Sequence, residues 1–461
     1  MPPPEYPVKD IHWVSFACRA DEPLPADDPR RCDFTALRGG SAVIVELADT
    51  LEQRLGDHEF HQCVLCGHRG SGKSTELLGL KQWADQNNFL CVWIEVDLYF
   101  DLTELQYSDL FLLAAESVER EMRKQGLGLP PEKLQDVVRW FAEVTKEDLE
   151  KVQSELKVEA GVEAGGGLSL LGKLFAKFSA SVLAGSEHHK KIRQELKQSP
   201  NVLISLTNDL LKSANEKLIK NGREQGLLLL FDNLDRYRPN VIDDLLLKGA
   251  NLMRRLGSHA IFTMPVELRC LAEHTYWDQF DATPILPMLT LRGRHAAWSE
   301  NVASSPYENK AVETMVQALR LRIDVDSLFE DPEDARLLVK MSGGCMRDLL
   351  HLVGTSRQKS RSSLGDKPGK LTRNGVHQAI LEYRLQLAEG LLRDDYQRLV
   401  AIARWAPDAQ ICDDHALRLL SRRRVLYYRD QENSWFNVHP LLIEDERFRH
   451  VHDATSSLIT G

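Results

Sequence analysis

The sequence predicts an α/β protein: a parallel sheet flanked by helices, then a helical segment, then a small unit of helices and a hairpin. Three observations carry this. Between residues 61 and 291, short apolar runs that read as buried strands alternate with stretches of helical spacing. Residues 305–390 keep helical spacing almost throughout. Residues 391–461 read as helix, helix and two strands joined by a polar turn.

The first strand is His61–Cys66, followed by a glycine-rich loop, a helix over Lys73–Asn87 and a strand over Phe89–Val96. Strand, loop, helix and strand together read as one βαβ unit. Before it, residues 41–55 place Val43, Leu47, Leu51 and Leu55 on one helix face. Residues 1–40 are rich in Pro and Asp and read as an extended leader. Helices follow over Tyr107–Gln125, Pro131–Glu143 and Val202–Lys220, and strands over Gly226–Asp232, His259–Thr263 and near Pro284–Leu291. Four regions result: an N-terminal extension at 1–60, a sheet-bearing core at 61–300 with a helical insert at 144–200, a helical segment at 301–390 and the terminal unit at 391–461.

The chain has 461 residues, 43% hydrophobic and 27% charged, with a net charge of −10. That composition suits a soluble globular chain of two to four domains. The acidic balance argues against a surface that attracts nucleic acid or anionic membrane as a whole. Cys63 and Cys66 form a C-x-x-C with no second pair at zinc spacing. On a strand, a three-residue step sends them to opposite faces, so buried thiols in a reducing compartment are expected. No signal peptide and no membrane-spanning run is read, and the expected location is the cytoplasm.

Residues 67–75 read Gly67-His68-Arg69-Gly70-Ser71-Gly72-Lys73-Ser74-Thr75, the pattern G-x-x-x-x-G-K-[ST]. Its glycines let backbone N–H groups close around phosphates, and the helix that follows points its positive end at the same anion. Lys73 would reach the β- and γ-phosphates, and Ser74 would offer a hydroxyl to Mg²⁺. All nine residues are candidate ligands of a Mg-nucleotide, expected to be ATP. A phosphate loop of this kind needs a carboxylate on a neighbouring strand tip. The run Leu227–Asp232 ends in Asp232, the candidate second metal ligand. Asn233 stands where many fast ATPases have Glu. Asp235 is then the nearest acid to orient water, unless no group does so and turnover is slow.

Gly67–Thr75 with Phe231–Arg236 resembles the AAA+ and STAND branch of P-loop ATPases, and the FDNLDR segment is similar to the acidic motif of KAP-type ATPases. The resemblance implies a P-loop NTPase sheet with a helical lid and a C-terminal winged-helix domain. It covers residues 61–125 and 226–461 but not the insert. It implies a polar γ-phosphate sensor ending the strand Ala260–Thr263. Thr263 is the candidate, with Arg269 second, against a local hydrogen bond for Thr263. Ser342–Leu350 resembles the G-x-x-R-x-L lid motif of origin-recognition and STAND ATPases. There Gly343 and Gly344 begin a helix, and Arg347 grips phosphate. Val438–Leu442 is similar to the histidine motif of NB-ARC/STAND switches, which would bring His439 to the ADP phosphate. This chain has Pro440 where that motif has Asp.

Three further features are open in their reading. Leu168–Ala184 has an apolar helical face that packs on its own protein, on a partner or on a membrane. Arg422-Arg423-Arg424 ends the second terminal helix and would meet DNA phosphates or protein. Arg254 and Arg255 are arginine-finger candidates if the chain oligomerises.

Two functions are expected. The first is an ATP-binding, slowly hydrolysing molecular switch. Its partner would be an effector or sensor chain encoded separately, with ATP-dependent homo-oligomers allowed. The resemblance extends to components of bacterial antiviral defence. The alternative is a DNA-binding ATPase of the initiator or transposition-regulator type.

Overall fold

The computed structural model describes residues 4–40, 42–56, 59–145, 169–184, 193–194, 196, 200–271, 277–293, 307–361, 369–404 and 413–459. Much of the helical insert expected at 144–200, including 146–168 and 185–192, lies outside these residues.

Five strands form one parallel sheet: β1 (Gln62–Gly67), β2 (Phe89–Glu95), β3 (Gly226–Asp232), β4 (His259–Pro265) and the short β5 (Ile285–Leu286), in the order β2-β3-β4-β1-β5. The expected βαβ unit therefore opens up. β1 and β2 are parallel but not neighbours, because β4 and β3 come between them. The order has a consequence for chemistry. The strand tips that carry residues 232 and 265 stand side by side with the end of β1, with Pro265 in register with Gly67.

Strand residues alternate between two apolar cores, as buried parallel strands must. On one face Cys63, Leu65, Cys91, Leu228, Leu230 and Ile261 meet helix α1 (Val43–Glu52) and helix α2 (Lys73–Gln86). Val43, Leu47 and Leu51 are buried as the spacing predicts. Leu55 is 40% exposed because α1 ends at Glu52. On the other face Val64, Val92, Ile94, Leu229, Phe231 and Phe262 meet helices α3 (Tyr107–Lys124), α4 (Pro131–Thr145), α5 (Leu170–Leu183) and α6 (Pro200–Lys220). Cys63 and Cys66 lie on opposite faces, and burial pushes both thiols up to about 12. They are packing residues.

Helix α5 settles one of the open readings. Leu171, Leu174, Phe175, Phe178 and Val182 are all buried in the second core. Ser179 Oγ donates to the Tyr99 carbonyl at 2.9 Å. Lys173 is exposed on the opposite side. Its apolar face packs on its own protein. No helix among the described residues is long and apolar enough to cross a membrane.

A separate apolar core unites the leader with the C-terminal half. Val8, Ile11 and Val14 pack with helices α7 (Asn309–Arg320), α8 (Pro332–Met341), α9 (Met346–Lys359) and α10 (Arg373–Ala388). The same core takes in α11 (Arg393–Ala403), α12 (Asp414–Ser421) and the antiparallel pair β6 (Val425–Arg429) and β7 (Ser434–Val438). Helix, helix and hairpin form a winged helix. Helices α7 to α10 make the helical unit beside it, and the whole is an α/β fold built on one parallel sheet.

Truncating a buried aromatic ring leaves a cavity. Phe178→Ala is expected to cost about 3–5 kcal/mol in chemical denaturation. Lys173→Ala, on the exposed side of the same helix, should change stability by less than about 0.5 kcal/mol.

Candidate nucleotide site

The phosphate loop folds as its glycines dictate. Gly70 has φ 84° and Gly72 φ 102°, a region that side chains with a Cβ rarely enter. Gly70 also needs the space. A Cβ there would stand 2.7 Å from Arg347 Cβ and 3.1 Å from Cys345 Sγ. The start of the lid helix α9 therefore rests directly on the loop. Lys73 opens helix α2, is 4% exposed, and donates to the carbonyls of Gly67 and His68, both at 2.8 Å. Its third partner is Asp235 Oδ2 at 2.9 Å. Ser71 Oγ is buried with no protein partner.

Asp232 ends β3 at 2% exposure and accepts a hydrogen bond from Ser74, the pairing expected of two metal ligands. Burial pushes its carboxyl up to about 6, against the Ser74 bond and with help from the nearby Asp235 charge. Asp232 Oδ1 has no hydrogen-bond partner. An orphaned carboxylate oxygen beside a serine hydroxyl fits Mg²⁺, a hard cation taking oxygen donors. Among the described residues no cluster of three His, Cys, Asp or Glu side chains offers a metal site elsewhere.

The acidic motif beyond Asp232 is braced internally. Asn233 takes the left-handed conformation (φ 66°), and its Nδ2 donates to Asp97 Oδ1 at 2.7 Å. Arg236 pairs with the other Asp97 oxygen at 2.6 Å. The amide at 233 thus braces the turn Val96–Leu98 that follows β2. Asp235 is engaged by Lys73 and does not stand free to orient water.

Thr263 is placed differently from the sensor expectation. Its Oγ1 accepts from Leu234 N at 3.0 Å and donates to the Phe231 carbonyl at 3.3 Å. The local hydrogen bond is the arrangement adopted, because β4 lies directly beside β3 and the hydroxyl is fully buried between them. Arg269 stacks on Trp277, 4.5 Å from the ring centroid.

The side chains of His68 and Arg69 turn away from the loop's hollow. Arg69 donates to the carbonyls of Asp235 and Arg236. His68 is 2% exposed, and its Nε2 accepts from Tyr427 N, on β6 of the winged helix, at 2.9 Å. Burial, with the Lys73 and Arg423 charges, lowers its pKa to about 3, so the ring is neutral and can accept. Their backbone remains part of the phosphate cradle. Their side chains tie the cradle to the acidic motif and to the wing.

Gly343 and Gly344 form the turn before the lid helix rather than its first residues. They have φ 61° and 78°, and α9 begins at Met346. A Cβ on Gly344 would fall 1.9 Å from the Leu289 carbonyl. Arg347 is the second residue of α9 and lies over Gly70. Its Nε is buried without a partner.

His439 is fully buried, but its contact is not with the phosphate loop. Its Nε2 stands 3.4 Å from Asp348 Oδ2 in the lid helix. Nδ1 accepts from Leu441 N at 3.3 Å, which fixes the ring. Asp348 is the centre of a buried cluster. Tyr383 OH donates to its Oδ1 at 2.7 Å, and Arg423 NH2 lies 3.0 Å from the same oxygen. Burial alone would raise this carboxyl. The charge of Arg423, with His439 and Tyr383, holds it down at about 2.

Arg423 also donates to the Arg69 carbonyl of the loop at 3.4 Å. Arg424 is 4% exposed and donates to the carbonyls of Leu387 and Glu389. Of the three consecutive arginines only Arg422 is exposed. On α12, Arg418 pairs with Asp395 at 2.7 Å. Arg254 and Arg255 are both exposed, and Arg255 donates to Asn201 at 2.9 Å.

Several residues of the site were not foreseen. Arg38 in the leader donates to Ser71 O at 2.7 Å and pairs with Glu76 at 2.5 Å, holding the loop from outside. A cavity of about 450 Å³ adjoins it, lined by Arg31, Phe34, Val43 and Glu76 among others. Asp348, Cys345 and Glu267 are the others. A buried cation before a helix offers a signal only once the loop is known to need an outer wall.

No family model matches this chain, and no curated protein does. Two solved structures are similar in outline. Cdc6p from Pyrobaculum aerophilum is 12% identical over 94% of this chain and 97% of that one, with a TM-score of 0.38. The Aeropyrum pernix Orc1 protein in complex with DNA is 13% identical over 97% of both chains, with a TM-score of 0.35.

Removing the counter-charge of a buried cation is costly. Asp348→Ala should cost about 3–5 kcal/mol in chemical denaturation. The His68 contact predicts a pH dependence. The unfolded ring binds a proton near its ordinary 6.5, whereas the folded ring resists it until about 3. Stability is therefore complete above that ordinary value and is lost as the pH falls through the interval. Melting temperature should drop more steeply between pH 6.5 and 4 in the native protein than in His68→Gln, whose amide oxygen still accepts from Tyr427 N.

Proposed function

We propose that this chain is an ATP-dependent molecular switch of the AAA+/STAND kind. ATP binds in the phosphate loop, with its triphosphate in the cradle of Gly67–Thr75. Lys73 turns from the Gly67 and His68 carbonyls to the β- and γ-phosphates. Ser74 and Asp232 hold Mg²⁺, which neutralises phosphate charge when bound. Arg347 reaches the phosphates from the lid.

The observation that carries this reading is the shared edge between loop and wing. His68 Nε2 meets Tyr427 N, Arg423 meets the Arg69 carbonyl, and Cys345 Sγ lies 3.7 Å from Gly70 O. A phosphate group that rearranges this loop must act on the residues that seat the winged helix. Nucleotide state then biases two positions of the winged helix, the requirement for a switch. Asn233 and Asp235 are both engaged elsewhere, which supports slow turnover. The partner would be a separately encoded protein.

The second reading is a DNA-binding ATPase of initiator or transposition-regulator type. The DNA reading would use the winged helix. Arg423 and Arg424 point inward here, and Asp413 and Asp414 begin the α12 surface, which supports protein rather than phosphate as its partner.

Light scattering with ADP, with ATP and Mg²⁺, and with ATP plus duplex DNA separates the two. The switch reading expects an ATP-dependent change in assembly or shape without DNA, lost in Lys73→Ala. Assembly that requires DNA, and weakens steeply with salt, would replace it with the second reading.

A further inference from the structure

The acidic motif leaves the water-activating position unfilled. Asn233 is turned to Asp97, Asp235 to Lys73, and Thr263 to the β3 backbone. One more carboxylate stands at this edge of the sheet. β4 ends at Pro265, in register with Gly67, the first residue of the phosphate loop. The chain turns there into a short helix, Val266–Leu271. Glu267 is in its first turn and is 6% exposed. Val266 and Leu268 anchor the turn in the two large cores on either side, so the carboxylate has a fixed place.

The charged groups around Glu267 are those of the nucleotide site. Lys73 and Arg69 act on it from the phosphate loop, and Asp235 from the acidic motif. Its own helix carries Arg269, which stacks on Trp277. Helix α12 packs behind with the apolar Ala416, Leu419 and Leu420, while Arg418 turns to Asp395.

We propose that Glu267 is the general base for hydrolysis, the carboxylate that orients the attacking water and takes its proton. The inference rests on the ATP-hydrolysing reading above. As the water oxygen bonds to the γ-phosphorus, Glu267 accepts a proton. The bond from the γ-phosphorus to the bridging oxygen breaks, and its electron pair stays on the ADP oxygen. The proton then passes from Glu267 to the phosphate product or to water. Burial pushes the carboxyl up to about 7, countered only in part by the hydrogen bond it accepts from its own backbone N–H and then by the Lys73 and Arg69 charges. A base is most effective when its pKa lies near the working pH. Since such a group is only partly ionised at neutral pH, hydrolysis rises with pH through that value.

The test uses the full chain and its Glu267→Gln and Glu267→Asp variants. Equilibrium binding of a fluorescent ATP analogue with Mg²⁺ is measured beside phosphate release across pH 6–8. Binding by Glu267→Gln is expected within about threefold of the native protein, which also certifies its fold. Its hydrolysis is expected to fall by about 10²-fold or more, and its rate to lose the rise with pH. Glu267→Asp should keep the rise at a reduced rate. If Glu267→Gln binds and hydrolyses as the native chain does, the proposal is overturned and the switch reading stands. A native protein that binds ATP without hydrolysing it overturns the proposal in the same way. If the native chain binds no nucleotide, the ATP reading falls first and takes the proposal with it.

Discussion

A carboxylate enclosed in protein must find positive charge or lose its own, because the interior cannot solvate an ion as water does. Asp348 meets that condition with groups from different parts of the chain. It belongs to the lid, as does Tyr383, while Arg423 and His439 belong to the winged helix. Separating lid from winged helix would strand the anion on one side and a buried guanidinium on the other. The two are therefore one body in this arrangement. Arg423 extends the connection to the Arg69 carbonyl, so the same body ends on the phosphate loop.

The loop is consequently held from every side. Arg38 grips it from the leader, Asp235 reaches its lysine from the turn after β3, Arg347 and Cys345 sit on Gly70, and Tyr427 donates to His68. Each contact uses an atom whose position depends on the loop's backbone. A ligand that reorganises that backbone is felt by leader, lid and wing together. The coupling is mechanical and short-range, passing through polar contacts of less than 4 Å, and it needs no long pathway through the sheet.

How much of this could be read in advance follows from what each feature obeys. The phosphate loop was legible because backbone curvature demands glycine at set positions and the lysine must follow at a set distance. The apolar strands and most helices were legible from period alone. Strand order was not, since a βαβ pattern says that strands are parallel but not which strand lies between them. That hidden order placed Thr263 against β3 and turned its hydroxyl inward. The partners of His439, and Asp348 altogether, were hidden for a different reason. Their partners lie 35 to 91 residues apart in sequence, and no local rule pairs them. Glu267 follows a proline at the end of a strand, a place where sequence reads as a turn.

The account stands on the winged helix being seated by the nucleotide loop. The most direct measurement is the distance between a label at Val45, exposed on the helix beside the sheet, and one at Glu432, exposed at the tip of the wing. It would be taken by double electron–electron resonance in ADP and in Mg-ATP. The account predicts a narrow distribution in one nucleotide and a second, shifted population in the other, with Lys73→Ala confined to a single distribution in both. Identical narrow distributions in ADP and ATP, in a protein shown to bind both, would contradict it.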